Sequence, residues 1–291
     1  MAKVIIVHGV GQQYLGRWSL QGFAARALVD GVEHACGEGR LLPGEVDVAF
    51  YGNLFRMPAR RGDDEPVRAA DVTDPFEVEL LYELWAAAAA AEPDRVVSPY
   101  ASGLRAPVPV KAQQAVNALL RSRCMSGAAA ERFLLGSLRQ VRCYLTDDRI
   151  RKAALETVAA RIGLDTRVVV GHSLGSVVAY EALCANPGWP VRMLVTVGSP
   201  LGIPKLIFDR LQPPPADGKG VWPAGLETWH NLCDRNDFVA IVKRLGPLFD
   251  TDARKICDQQ VDNGWRTHDL GRHLTASETG SAVLAGLESR L

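Results

Sequence analysis

Val168-Val169-Val170-Gly171-His172-Ser173-Leu174-Gly175 runs directly into Ser176-Val177-Val178-Ala179-Tyr180-Glu181-Ala182-Leu183. The opening β-branched residues have the composition of a strand buried on both faces. The stretch that leaves the motif has helical character. G-x-S-x-G therefore falls where a buried strand turns sharply into a helix. Such a turn strains the serine backbone and points its hydroxyl out of the sheet. Glycines flank it because side chains there would collide with the neighbouring strand or helix. The serine has two readings, the exposed nucleophile of an elbow or a simple cap on the helix.

Outward from this turn the same alternation repeats. Val4 to Val7 is a continuous apolar run of β-formers that ends in His8-Gly9-Val10-Gly11-Gln12. Trp18 to Glu33 reads as a helix and Val46 to Tyr51 as a second strand. Val191 to Val197 is a strand that ends in Gly198-Ser199-Pro200, and Trp229 to Cys233 is the last strong one, followed by Asp234-Arg235-Asn236-Asp237. Strands alternating with helices imply the α/β class, a mostly parallel central sheet flanked by helices.

Between Phe55 and Tyr144 strand signals vanish. Helical periodicity takes over at Glu77 to Ala91, Val110 to Cys124 and Ala128 to Leu145, where Leu134, Leu138, Val141 and Leu145 form a stripe. We read residues 1–291 as a single domain and 55–145 as a helical insertion within it, either a cap over Ser173 or ordinary helix packing. Asp147 to Ile162 is a further amphipathic helix, with Gly163 as its expected C-cap. Gln212 to Gly218 is a loop by composition.

The 291 residues are 47% hydrophobic and 23% charged, with a formal net charge of +0, as in an ordinary soluble globular protein. No net field draws the chain to nucleic acid or anionic membrane, and no segment has the apolar length of a membrane span. Met1-Ala2-Lys3 and the short run after it do not make a signal peptide. The six cysteines are scattered without a C-x-x-C pair. They are expected as reduced, mostly buried thiols in a cytoplasmic protein. No G-x-G-x-x-G or G-x-x-x-x-G-K occurs, and neither a metal nor a cofactor is expected.

A serine hydroxyl is a weak nucleophile until a base takes its proton, and an acid must hold that base in the correct tautomer. In an open parallel sheet these groups gather just after the carboxyl ends of the strands. Backbone N–H groups for an oxyanion would come from Leu174 and from the His8-Gly9 loop, with Val10 first and Gln12 second. A tight strand–helix turn is the plainer reading of that loop. Asp237 is the favoured acid and Asp234 the reserve, although Asp237 also suits an N-cap for Phe238 to Ile241. Among the histidines, His8 and His172 sit in the glycine loops, His34 in a polar region and His230 inside a strand. His268 and His273 are left as bases, His268 preferred because it ends a loop before a terminal helix. The order Ser, Asp, His then follows the chain.

These residues resemble the α/β-hydrolase superfamily, and within it the serine esterases and lipases. Gly171 to Gly175 is similar to the lipase elbow at all five positions, and the first strand with His8-Gly9 looks like the lipase oxyanion loop. Gly198-Ser199-Pro200-Leu201-Gly202 resembles a segment of lipase-like and inositol-deacylase-like members, as does His268 with Gly271 and Leu274 behind it. The likeness covers the first fifteen or so residues and most of the chain from Asp147 onward. The family's opening antiparallel strands have no counterpart, and neither do the membrane segments of eukaryotic inositol deacylases. The resemblance implies an α/β-hydrolase fold with Ser173, His268 and Asp237 as a triad and Val10 and Leu174 at the oxyanion. It implies a small-molecule ester or lipid-like substrate. The same triad also serves thioesterases, amidases and peptidases, and the fold also serves as a non-catalytic binding or signalling module.

Overall fold

The computed structural model describes residues 2–56, 68–100, 108–125, 130–249 and 256–289. Six strands form one sheet: β1 (Val4–Val7), β2 (Val46–Ala49), β3 (Val168–His172), β4 (Met193–Val197), β5 (Thr228–Asp234) and β6 (Ile256–Val261). Their order is β2-β1-β3-β4-β5-β6, and every pairing is parallel. All the strands therefore end at one edge. Nine helices are found among the described residues: α1 (Arg17–Cys36), α2 (Pro75–Ala91), α3 (Val108–Leu119), α4 (Ala130–Thr146), α5 (Asp148–Ala159), α6 (Leu174–Ala185), α7 (Gly246–Phe249), α8 (Leu270–Thr275) and α9 (Ser277–Glu288).

The strands bury both faces, which is why they read as unbroken apolar runs. Ile5, Val7, Val169 and Leu194 belong to one core with α2 to α6. Val4, Ile6, Val168, Val170, Met193 and Val195 belong to the other, with α1, α8 and α9. Because side chains alternate along a strand, adjacent residues serve opposite cores.

The helices between β2 and β3 differ from expectation mainly at their ends. Asp74 caps α2 by accepting from Phe76 N (2.9 Å) and Glu77 N (3.3 Å), so that helix starts two residues early. The α3 helix stops at Leu119, and the expected start of α4 at Ala128 lies outside the described residues. The α5 helix ends at Ala159 with Ala160 as its C-cap, not at Gly163, whose N–H bonds Thr166 Oγ1 at 3.0 Å. The sixth strand was not anticipated: only Ile256 and Val261 of Ile-Cys-Asp-Gln-Gln-Val are buried, as suits a sheet edge.

One buried network binds the helix after Ser173 to the segment before β3. Glu181 on α6 accepts from Tyr144 on α4 (2.6 Å) and from Gln212 N (2.9 Å), and pairs with Arg151 on α5 at 3.3 Å. Burial pushes the Glu181 carboxyl up, and Arg151 and Tyr144 pull it back. The cysteines correct an expectation. Among the cysteines whose side chains are described, all are free thiols and only Cys233 is buried; Cys36 and Cys257 are exposed, and Cys143 and Cys184 are half-buried. No helix among the described residues is long and apolar enough to cross a membrane.

Candidate active site

The β3–α6 turn has the backbone that the glycine pattern demands. Ser173 sits at φ 52° and ψ −129°, a left-handed conformation that a side chain seldom adopts. A Cβ on Gly175 would fall 2.1 Å from the Val7 carbonyl oxygen, and one on Gly171 would fall 2.6 Å from Ser176 Cα. Both positions are closed to every other residue. Ser173 makes no side-chain capping bond to α6, which removes the capping reading of its hydroxyl. Its N–H bonds Val197 O at 3.1 Å, so the ladder with β4 runs on into the turn. Behind it, Ser176 Oγ bonds the Ser173 carbonyl at 2.6 Å and meets Ser199 Oγ at 2.7 Å.

The loop after β1 lies against this serine. A Cβ on Gly9 would stand 2.7 Å from Ser173 Cβ and 3.0 Å from His172 Nδ1, so only a bare backbone fits between them. Val10 follows directly, half-buried, and Leu174 is the first residue of α6, whose opening N–H groups have no partner within the helix. Gln12, the second oxyanion candidate, turns its side chain towards Val10 O at 3.5 Å. His8 holds the loop from below. Tyr51 N can only donate, so His8 Nε2 accepts at 3.1 Å, and Nδ1–H then donates to Gly9 O at 2.7 Å. Tyr51 stacks on the His8 ring and bonds His8 O at 2.5 Å. Burial pushes His8 down to about 4, so the ring is neutral near pH 7.

Residues from α4 close the loop from the other side. Gln140 Oε1 accepts from Gly11 N at 3.2 Å, and Gln140 Nε2 donates to Gln13 Oε1 at 3.1 Å. A Cβ on Gly11 would meet the Phe133 ring at 2.4 Å, although Phe133 itself is 46% exposed. The helical segment between β2 and β3 thus touches the loop that backs Ser173.

Asp237 lies in the turn after β5 and His268 in the loop between β6 and α8. Asp237 Oδ2 accepts from His268 Nδ1 at 2.8 Å. The two readings of Asp237 are both fulfilled, because Oδ1 accepts from Val239 N (2.9 Å) and Ala240 N (3.3 Å) while Oδ2 takes the histidine. Burial alone would push this carboxyl up. The positive charge and hydrogen bond of His268, with His273 behind them, outweigh it and hold Asp237 well below the usual carboxylate range. Since Asp237 takes the Nδ1 proton, Nε2 is the His268 nitrogen left to accept a proton whenever the ring is uncharged.

Asp234 does different work. Its Oδ1 accepts from Asn236 N (2.7 Å) and its Oδ2 from Asn263 N (2.7 Å), which ties the turn after β5 to the loop after β6. Lys243 donates to the carbonyl oxygens of both Asp234 and Asp237. His273 is inside α8, fully buried, with Nε2 at 3.8 Å from Asp237 Oδ2.

Two contributors were not singled out from the sequence. Gly198, at φ 56°, packs under the pair: a Cβ there would be 2.9 Å from both Asp237 Oδ2 and His268 Nδ1. His172, the residue before Ser173, has its Nε2 at 3.1 Å from His268 O. A carbonyl only accepts, so this nitrogen carries the proton. Burial, then the charges of His268 and His273, push His172 well down and keep it neutral. The serine turn and the His268 loop are thereby latched by one hydrogen bond. A surface groove lined by Trp18, Phe23, Arg26, Arg266 and Arg272 lies beyond this loop and includes none of Ser173, Asp237 or His268.

No protein-family model matches the chain, and neither does any curated protein or solved structure.

Proposed function

We propose that the chain is a serine hydrolase of α/β-hydrolase type that cleaves a carboxylic ester through an acyl-enzyme. One observation carries the reading: the Asp237–His268 pair, 2.8 Å apart, is latched by His172 to the strained turn that bears Ser173. A structural ion pair needs neither the strained serine nor the glycine-backed loop against it.

Ser173 Oγ attacks the ester carbonyl while His268 Nε2 takes its proton. Asp237 keeps His268 in the needed tautomer and stabilises the imidazolium. The N–H groups of Val10 and Leu174 hold the oxyanion. Collapse of the tetrahedral intermediate passes the proton from His268 to the leaving alcohol. Water, deprotonated by His268, then releases the acid and regenerates Ser173. No cofactor enters this scheme. Helices α2 to α4 act as a cap, with Phe133 and Gln140 over the oxyanion loop, and a small-molecule ester or lipid-like compound is the substrate.

The test is turnover of p-nitrophenyl esters of increasing chain length beside acyl-thioesters and peptide amides. Ester hydrolysis is expected, with Ser173→Ala lowering kcat by about six orders of magnitude. Preference for thioesters or amides would move the activity to those classes on the same triad. Absence of turnover on all three would favour a non-catalytic binding module.

A further inference from the structure

Among the described residues, His273 stands out for having two buried side-chain nitrogens without a partner. It is fully buried on α8, and neither ring nitrogen has a hydrogen-bond partner among the described residues. Buried polar atoms are nearly always satisfied, and one that is not calls for a reason such as an ion. Its Nε2 faces Asp237 Oδ2 at 3.8 Å, too long for a hydrogen bond. On the other side of the same oxygen stands His268 Nδ1 at 2.8 Å. One ligand atom from each of Asp237, His268 and His273 lies within 4.8 Å of the other two.

Two imidazole nitrogens and one carboxylate oxygen are a donor set that suits Zn²⁺, with bonds of about 2.0–2.2 Å and ligands therefore about 3.4 Å apart. The observed 2.8 and 3.8 Å straddle that separation. The carboxylate is already oriented, since Val239 N and Ala240 N hold its other oxygen, as outer-shell partners hold metal ligands. Access comes from the His268 side, where the side chain is 20% exposed.

We propose that Asp237, His268 and His273 form an inhibitory zinc site. Its effect on the reaction follows from the tautomer. A metal on Nδ1 of neutral His268 needs that lone pair, so the ring proton moves from Nδ1 to Nε2. No proton is lost overall, but Nε2 becomes a donor and cannot receive the Ser173 proton. Zinc thus silences the base without touching Ser173. Only this inhibitory consequence rests on the hydrolase reading; the site itself does not.

The experiment uses the full chain, freed of metal with a chelator and titrated with ZnCl₂ against a chromophoric zinc chelator. One zinc per chain is expected, with Ser173→Ala binding as the parent does. His273→Asn and His273→Phe should each weaken binding at least about tenfold. Thermal melting of each variant shows that it is folded, and zinc should raise the melting temperature of the parent and of Ser173→Ala more than that of either His273 variant. In parallel, zinc should slow labelling by a fluorophosphonate in proportion to occupancy. No stoichiometric zinc, or equal affinity in both folded His273 variants, overturns the site. Tight His273-dependent binding without fluorophosphonate labelling at any zinc level would uphold the site and count against the hydrolase reading.

Discussion

The carboxyl edge of the sheet and the helical segment between β2 and β3 reach the same place by different means. At the edge, Ser173 and Gly198 follow directly on β3 and β4, Asp237 lies in the turn just after β5, and strand register places these ends. The segment reaches in through side chains, with Gln140 on Gly11, Phe133 against that loop and Tyr144 on Glu181. Register is rigid because a slip of one residue turns every side chain to the other face. Side-chain contacts from a helix are less constrained. On the proposed hydrolase reading, the reaction belongs to the edge and substrate choice to the segment.

The largest effect is expected within one turn at the edge. Asp237→Asn should lower ester turnover by about 10⁴, by presenting the wrong tautomer of His268. Asp234→Ala should instead act on stability, by about 1–3 kcal/mol, because the N–H groups of Asn236 and Asn263 lose their acceptors. Turnover and urea midpoints for both variants check this; similar turnover losses would erase the distinction between the two carboxylates.

Next in size is the tie between the regions. Arg151→Met leaves Glu181 buried beside Tyr144 without its cation, and should cost about 3–5 kcal/mol in chemical denaturation. A loss under about 1 kcal/mol would mean that the segment is not anchored to α6 through this network.

The third effect is a pH dependence. His8, pushed down to about 4 by burial, stays neutral in the fold, whereas the unfolded chain takes up its proton near 6.5. Stability is therefore full above about pH 6.5 and falls as pH drops towards 4, by about 3 kcal/mol. His172, also held down, adds to the fall with the same sign. Urea unfolding from pH 7 to 4.5 should show this slope, and His8→Gln should flatten it. An unchanged slope in His8→Gln would mean that the loop beside Ser173 does not depend on a neutral ring.

The smallest effect is expected from the segment itself. Gln140→Ala frees Gly11 N and should lower kcat/KM by about tenfold while costing about 1 kcal/mol of stability. If kcat/KM is unchanged, α4 covers the loop without positioning it.

What was legible in the sequence follows the same division. The buried strands announced themselves because both faces are covered, and G-x-S-x-G with its flanks fixed the Ser173 turn. Asp237 was reachable from its position after a strand, and His268 by elimination among the histidines and from its place at the end of a loop before a terminal helix. The β6 strand was not, since Cys257 to Gln260 face outward or are half-buried at the edge and carry no apolar period. His172 could not be distinguished from a packing residue, because its partner is a backbone carbonyl 96 positions away. Gln140 likewise lies on a helix whose stripe of leucines says where it packs, not what its polar face meets. The chain carried Gly198 in a recognisable segment, but the reason for it, room for the Asp237–His268 pair, exists only in three dimensions.

On the proposed reading, Ser173 is an activated nucleophile. The most direct measurement is mass spectrometry of the metal-free protein after exposure to a fluorophosphonate. One adduct per chain is expected, on Ser173, absent in Ser173→Ala and formed far more slowly in His268→Ala. No adduct, or an adduct that persists in Ser173→Ala, would contradict that reading.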